Sequence, residues 1–225
     1  MVSGRKSREA VEDYLIAVYR LENIYGYAKT SQLAKELNVK EGTVSKVLRG
    51  LSRKGLIQVI SYKGARLTES GKELAVKILR NHAILETFLR EFLGFDVVKA
   101  HELAHEMEHL PQEVIEAIYE KMGRPAVCPT PDLKQPLQNV DYVPLSNSVE
   151  GRCYKVKCFI NELRCVLTKF KEVGCDVSCL VKVVGKGVRG ITVRLRNGRE
   201  VILTLDESQA VGVEEVACDE FNNLS

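Results

Sequence analysis

The sequence predicts a mainly α protein with small β parts: an N-terminal winged helix–turn–helix, a helical middle domain and a small C-terminal β domain. Three observations carry this. Across residues 7–54, apolar side chains recur at three- and four-residue spacing in three segments, broken at Gly26 and at Asn38-Val39. Five of the six prolines fall within residues 123–149, a composition that marks an extended boundary. Around Asn197-Gly198, residues 191–203 alternate apolar and polar side chains on both sides, the strongest short hairpin signal.

Val11, Tyr14, Leu15, Val18, Tyr19 and Leu21 place a first helix over 7–25, which Gly26 can end. A second helix is expected over Ser31–Leu37, and a third over Glu41–Lys54 with Val44, Val47, Leu48 and Leu51 inward. The outer side of the third helix carries Lys40, Thr43, Ser45, Lys46, Arg49 and Arg53. Cations and hydroxyls of this kind bind phosphates and read base edges in a major groove. Residues 56–68 form a hairpin wing whose basic tip includes Lys63 and Arg66. Thr68 is placed to cap a long helix running to about Phe92. Helices over Val97–Leu110 and from Pro111 to about Met122 complete the middle domain, and residues 161–173 read as a helix within the last. The expected domains are 1–75, 76–124, a Pro-rich linker at 125–149, and 150–220.

Charge divides along the same lines. Residues 1–80 carry a net charge of +8, residues 81–150 carry −7, and residues 151–225 carry +2. A basic first third fits a polyanionic partner, double-stranded DNA above all. No apolar run reaches the roughly 18–20 residues of a membrane span, and the basic N-terminus is not followed by the apolar core of a signal peptide. A cytoplasmic protein is therefore expected. Its seven cysteines include no C-x-x-C pair. In that compartment most should be reduced and buried, with a disulfide in the last domain as the alternative for a hyperthermophilic source.

Three of the four histidines fall within the nine residues His101-Glu102-Leu103-Ala104-His105-Glu106-Met107-Glu108-His109. On a continuous helix His101, His105, Glu108 and His109 would share an arc of roughly 100°. Imidazoles with a carboxylate suit a borderline divalent metal such as Zn, Mn or Fe. The same letters spell H-E-x-x-H, so a zinc hydrolase is the rival reading, with Glu102 as its base. On the preceding helix, His82 and Glu86 are four residues apart and share a face.

The order of these parts resembles the diphtheria toxin repressor family of metal-activated transcriptional repressors. The resemblance covers nearly the whole chain. It rests on Glu12-Asp13-Tyr14-Leu15, Val18-Tyr19-Arg20-Leu21, Gly42-Thr43-Val44-Ser45, Lys54-Gly55-Leu56-Ile57, Leu67-Thr68-x-x-Gly71, His82 with Glu86, and His101-x3-His105-x2-Glu108-His109. It implies a helical metal-binding and dimerisation domain and an SH3-like barrel at the C-terminus. It also implies a homodimer on a pseudo-palindromic operator, activated by Mn²⁺ or Fe²⁺, with Zn²⁺ or Co²⁺ binding in vitro. A primary metal site would use Asp13, His105, Glu108 and His109; an ancillary site would use His82, Glu86 and His101. Lys157 and Ile160 align with two barrel ligands of iron-sensing members and are not ligands themselves, although Glu162 is nearby. Ile16 stands where the manganese branch has a second acid. A regulator whose metal is purely structural is the remaining alternative.

Overall fold

The computed structural model describes residues 2–95, 97–125, 142–160 and 162–222. Most of the expected linker, and Cys128 within it, lies outside the described residues. The chain divides into two compact units, the first holding α1 as far as Glu22 and the elements from Gly26 to α6, the second holding β3 to α9.

In the first unit, α1 spans Val2–Tyr25, α2 Thr30–Glu36 and α3 Glu41–Arg53. Tyr14 to Leu21 of α1 are all buried, so the apolar stripe read from the sequence widens here to the whole circumference. The tight α2–α3 turn runs through Asn38 at φ 54°, a conformation its short polar side chain tolerates. Val44, Leu48 and Leu51 anchor α3, as expected.

The wing is the antiparallel pair β1 (Ile57–Ile60) and β2 (Gly64–Leu67). Ala28 adds a one-residue third strand, exchanging two 2.9 Å backbone hydrogen bonds with Ala65. Gly64, at φ 134°, permits that approach: a Cβ there would lie 2.2 Å from the Ala28 carbonyl oxygen. Arg66, expected at the wing tip, instead lies in β2 opposite Gln58 and donates to the Gly26 carbonyl, tying the wing to the loop after α1.

Thr68 caps α4 (Glu69–Glu91) by accepting from the Gly71 N–H and donating to the Gly55 carbonyl. α5 spans Val97–Met107 and α6 Gln112–Lys121. Their common core is Ala83, Ile84, Leu85, Leu89, Ala100, Ala104 and Ile115, with Leu103, Met107 and Leu110 packed against it. Small residues on α4 and α5 bring the two backbones close, which sets the polar side chains beside them within reach of one another.

The second unit is a six-stranded antiparallel SH3-like sheet in the order β3-β8-β4-β5-β6-β7. Its elements are β3 (Val143–Pro144), β4 (Cys153–Phe159), α7 (Arg164–Val173), β5 (Leu180–Gly187), β6 (Gly190–Leu195), β7 (Glu200–Leu203), α8 (Leu205–Ser208), β8 (Val211–Val216) and α9 (Cys218–Asn222). The β6–β7 hairpin forms where Asn197-Gly198 places it. Only Gly198 takes positive φ, and Leu195 both accepts from Gly198 N and donates to the Arg199 carbonyl, giving a three-residue loop with a bulge. The cysteine expectation needs correction. Cys153 is bonded to Cys218, with Cα atoms 5.2 Å apart, and Cys175 is bonded to Cys179. The first bond joins the start of β4 to the start of α9, two points far apart in sequence that no composition argument brings together.

Candidate metal centre

The candidate ligands come from four places in the first unit: α1, α4, α5 and the turn after α5. Asp13 lies on α1, His82 and Glu86 lie one turn apart on α4, and His101 and His105 lie one turn apart on α5. Glu108 and His109 were expected on the same helix, but α5 ends at Met107. Glu108 makes the last helical hydrogen bond, to the Ala104 carbonyl at 2.8 Å, and Leu110 then bonds back to Met107 in a tighter turn. The chain must turn there because Pro111 cannot continue a helix. Buried Asn81 holds the turn to α4, donating to the Glu108 carbonyl and pairing with Gln112. Arg80 fixes α6 nearby through a two-point contact with Glu116.

This turn divides the donors into two groups. In one, His109 Nε2 lies 3.3 Å from Asp13 Oδ1 and 3.8 Å from Glu108 Oε1. In the other, His82 Nε2, His101 Nδ1 and Glu86 Oε2 are mutually 3.2–3.3 Å apart. His105 was expected beside Asp13. It stands instead among the imidazoles of the second group, with ring centroids 4.5 Å from His82 and 4.6 Å from His101. His101 and His105 are one turn apart on the α5 face that packs against α4, whereas His109 has left the helix and faces α1. Glu108 joins the groups: Oε2 lies 2.7 Å from His82 Nδ1, both oxygens lie 3.4–3.5 Å from His105 Nδ1, and Oε1 faces His109.

The electrostatics favour ionised carboxylates beside a neutral imidazole. Burial pushes the Glu108 carboxyl up, but hydrogen bonds with His105 and His82 outweigh it and hold its pKa at about 2. Glu86 follows the same pattern, with burial opposed by His101 and His82, and also comes to about 2. Burial lowers the His105 pKa against its hydrogen bond with Glu108. Hydrogen bonds with Asp13 and then Glu12 raise His109 to about 10.

These donors fit a divalent transition ion. Ligand atoms on tetrahedral arms of about 2.0–2.1 Å stand roughly 3.3–3.4 Å apart, which is the spacing of the His82, His101 and Glu86 atoms. The donor atoms of Asp13, Glu108 and His109 lie within 4.8 Å of one another. Ile16 is buried in the core and Lys157 pairs with Glu214 at 3.0 Å, so neither position supplies a ligand. Sequence reasoning missed Glu12, whose Oε2 lies 2.7 Å from His109 Nδ1. The adjacent acids Glu12-Asp13 were the available signal. Glu102 is more than half exposed and pairs with Lys99.

Of the residues expected to contact DNA, Lys40, Thr43, Ser45, Lys46, Arg49, Arg53 and Lys63 are all exposed, and so is Arg66 at its place in β2. Arg49 and Arg53 lie along α3, each donating to the carbonyl four residues back.

Comparison with known proteins agrees with this geometry. Residues 7–65 match the family described as iron dependent repressor, N-terminal DNA binding domain, and residues 68–134 match its metal binding and dimerisation domain. A helix–turn–helix-type transcriptional regulator of Methanocaldococcus jannaschii is 39% identical over 112 residues, 49% of this chain and 90% of the relative. The chain belongs to the iron-dependent repressor family. The family comprises metal-dependent transcriptional repressors rather than enzymes, so H-E-x-x-H here is not a hydrolase signature. The family likeness continues into the second unit: the diphtheria toxin repressor of Corynebacterium glutamicum is 26% identical over 227 residues, covering 92% of this chain and 97% of that protein. The fold is shared with the manganese regulator SloR, at TM-score 0.69 and 23% identity over 92% of this chain and 98% of that one. It is also shared with T. acidophilum IdeR, at TM-score 0.66 and 24% identity over 91% and 97%.

Proposed function

We propose that this repressor binds its operator as a homodimer when Mn²⁺ or Fe²⁺ occupies the site formed by Asp13, Glu108 and His109, with His82, Glu86, His101 and His105 holding a second ion. The observation that carries the reading is the 3.3 Å approach of His109 Nε2 to Asp13 Oδ1. Asp13 belongs to the segment that matches the DNA-binding domain, and His109 to the segment that matches the metal-binding domain. An ion shared by these donors supplies positive charge that offsets the repulsion between the Asp13 and Glu108 carboxylates.

The residues divide the remaining work. Glu108 accepts at His82 Nδ1 and leaves Nε2 directed at Glu86 and His101. Asn81 holds the backbone that carries Glu108 and His109 in place. Two carboxylates with one imidazole favour Mn²⁺ or Fe²⁺, whereas Zn²⁺ and Co²⁺ follow from intrinsic affinity in vitro. Lys40, Thr43, Ser45, Lys46, Arg49 and Arg53 on and beside α3, with Lys63 and Arg66 of the wing, contact DNA. Two-fold symmetry suits a pseudo-palindromic operator. Phe88, Val114, Ala117 and Ile118 line an apolar groove on α4 and α6 that suits the dimer contact. The domains divide at about 75 and 124, and the last one reaches back from 150 to take in β3, which belongs to the second unit. Among the described residues no helix is long and apolar enough to cross a membrane, which accords with a cytoplasmic site of action.

The test is an anaerobic mobility-shift titration of operator DNA with Mn²⁺, Fe²⁺, Zn²⁺ and Co²⁺, with chelator as control. Metal should raise DNA affinity in the wild type but not in Asp13→Ala. Equal affinity with ion and with chelator would refute activation by metal.

A further inference from the structure

Building on the reading of Asp13, Glu108 and His109 as a metal site, we infer that Glu12 is a positioning residue. Its carboxylate holds His109 Nδ1 so that Nε2 is the nitrogen presented to the ion. The two ring nitrogens of His109 have different surroundings. Nδ1 is 2.7 Å from Glu12 Oε2, while Nε2 faces Asp13 Oδ1 and Glu108 Oε1 at 3.3 and 3.8 Å. An imidazole that ligates through one nitrogen carries its hydrogen on the other. An acceptor there fixes both the tautomer and the rotation of the ring, and makes the ligating nitrogen more basic.

Helical geometry explains why Glu12 takes this part while Asp13 faces the ion. Neighbouring residues on a helix point about 100° apart, so the two acids of α1 reach different edges of one ring. The His109 and Glu12 side chains are only 10% and 17% exposed, which limits competition from water for the Nδ1–H. The second group of donors uses the same device. Glu108 Oε2 accepts at His82 Nδ1 at 2.7 Å, and His82 Nε2 is thereby directed at Glu86 and His101. Glu12 also lies on α1, so orienting the ring and tying it to the segment that matches the DNA-binding domain are one contact.

The experiment uses the full chain and Co²⁺, read by its visible absorption, with Mn²⁺ calorimetry alongside. The variants are Glu12→Ala, Glu12→Gln and Asp13→Ala. Long-range ¹H–¹⁵N spectra of the Zn²⁺-loaded protein report which ring nitrogen of His109 keeps its hydrogen. Glu12→Ala should weaken the Asp13-dependent equivalent by about 10–100-fold, spare the other equivalent and remove the single Nδ1–H tautomer. Glu12→Gln keeps an acceptor of the same shape and should recover both affinity and tautomer in part. If Glu12→Ala leaves affinity and tautomer unchanged while Asp13→Ala loses an equivalent, the role of Glu12 is refuted and the metal site stands. A Glu12→Gln loss as large as that of Asp13→Ala would make Glu12 a ligand and overturn the positioning role. If Asp13→Ala loses no equivalent, the metal reading falls and this inference falls with it.

Discussion

Glu108 is the residue on which both donor groups depend. Its side chain is 3% exposed, and its oxygens face His82 on one side and His105 and His109 on the other. Glu108→Ala would leave these imidazoles facing an apolar void. Both metal equivalents should weaken, and the apo protein should lose about 1–3 kcal/mol, the cost of stranding buried polar groups. Asp13→Ala, at a half-exposed position, should remove one equivalent with little change in apo stability. Calorimetric metal titrations and chemical denaturation of the two variants separate these outcomes; equal stability loss in both would contradict the central place of Glu108. The histidine cluster stood out in the sequence, because three histidines within nine residues is a rare pattern, and His82 with Glu86 stood out by their four-residue spacing; Asp13 entered only through the family resemblance. The partition of these ligands was not legible. It depends on α5 ending at Met107, which takes His109 off the helical arc and leaves His105 among the α4-facing imidazoles. Glu12 was visible only as part of a motif, since its role depends on a histidine 97 positions away.

Elements depend on a few close backbone approaches. At the third residue of α4, a Cβ on Gly71 would lie 2.0 Å from the Leu56 carbonyl oxygen, which already accepts from Thr68 N. Gly71→Ala should therefore lose the cap and the seat of the wing. Its cost should be about 2–4 kcal/mol, despite the roughly 1 kcal/mol that alanine normally adds to a helix interior. A thermal melt showing stabilisation would refute this. In the second unit, Thr204 and Glu207 form a reciprocal cap on α8, and Lys169 Nζ lies 2.7 Å from Glu207. Burial pushes the Glu207 carboxyl up, but Lys169 and Thr204 outweigh it and hold it below the ordinary carboxylate range. A depressed folded-state pKa gives stability that is fully present above the unfolded value, near 4.3, and is lost as pH falls through the folded one. Denaturation followed by a second-unit probe should show acid destabilisation below about pH 4, with a shallower slope in Glu207→Gln; identical slopes would remove Glu207 from the account. Sequence patterning found α1 to α6, the wing strands β1 and β2, and β6 and β7. It missed β4, whose buried positions include Cys153 and Cys158, because alternating cysteines and lysines lack the usual β-branched signature. It also started α7 early, because Glu162 adopts positive φ just ahead of the helix.

At the scale of the whole molecule, the order of parts was readable because composition changes at each boundary: basic, then acidic, then proline-rich, then alternating. The disulfide partners were not readable, since Cys153 and Cys218 meet only once β4 and the chain after β8 have folded together. The charge division supports a prediction that also counts chains on DNA. The net +8 of residues 1–80 should give operator binding a steep salt dependence, because each cation seated on a phosphate releases about 0.9 of a counterion. Lys46 and Arg49 are exposed on α3, and each should contact phosphate once per chain. If the repressor binds as one dimer, Lys46→Ala removes two such contacts per operator, and the slope of log affinity against log salt should fall by about 1.8. A single bound chain would lose only about 0.9. Titrations between 50 and 300 mM salt with saturating Mn²⁺ distinguish these values, and sedimentation of the same complexes gives the stoichiometry independently. A Lys46→Ala slope equal to that of the wild type would mean that α3 does not face the phosphates, and would overturn the assignment of the recognition surface.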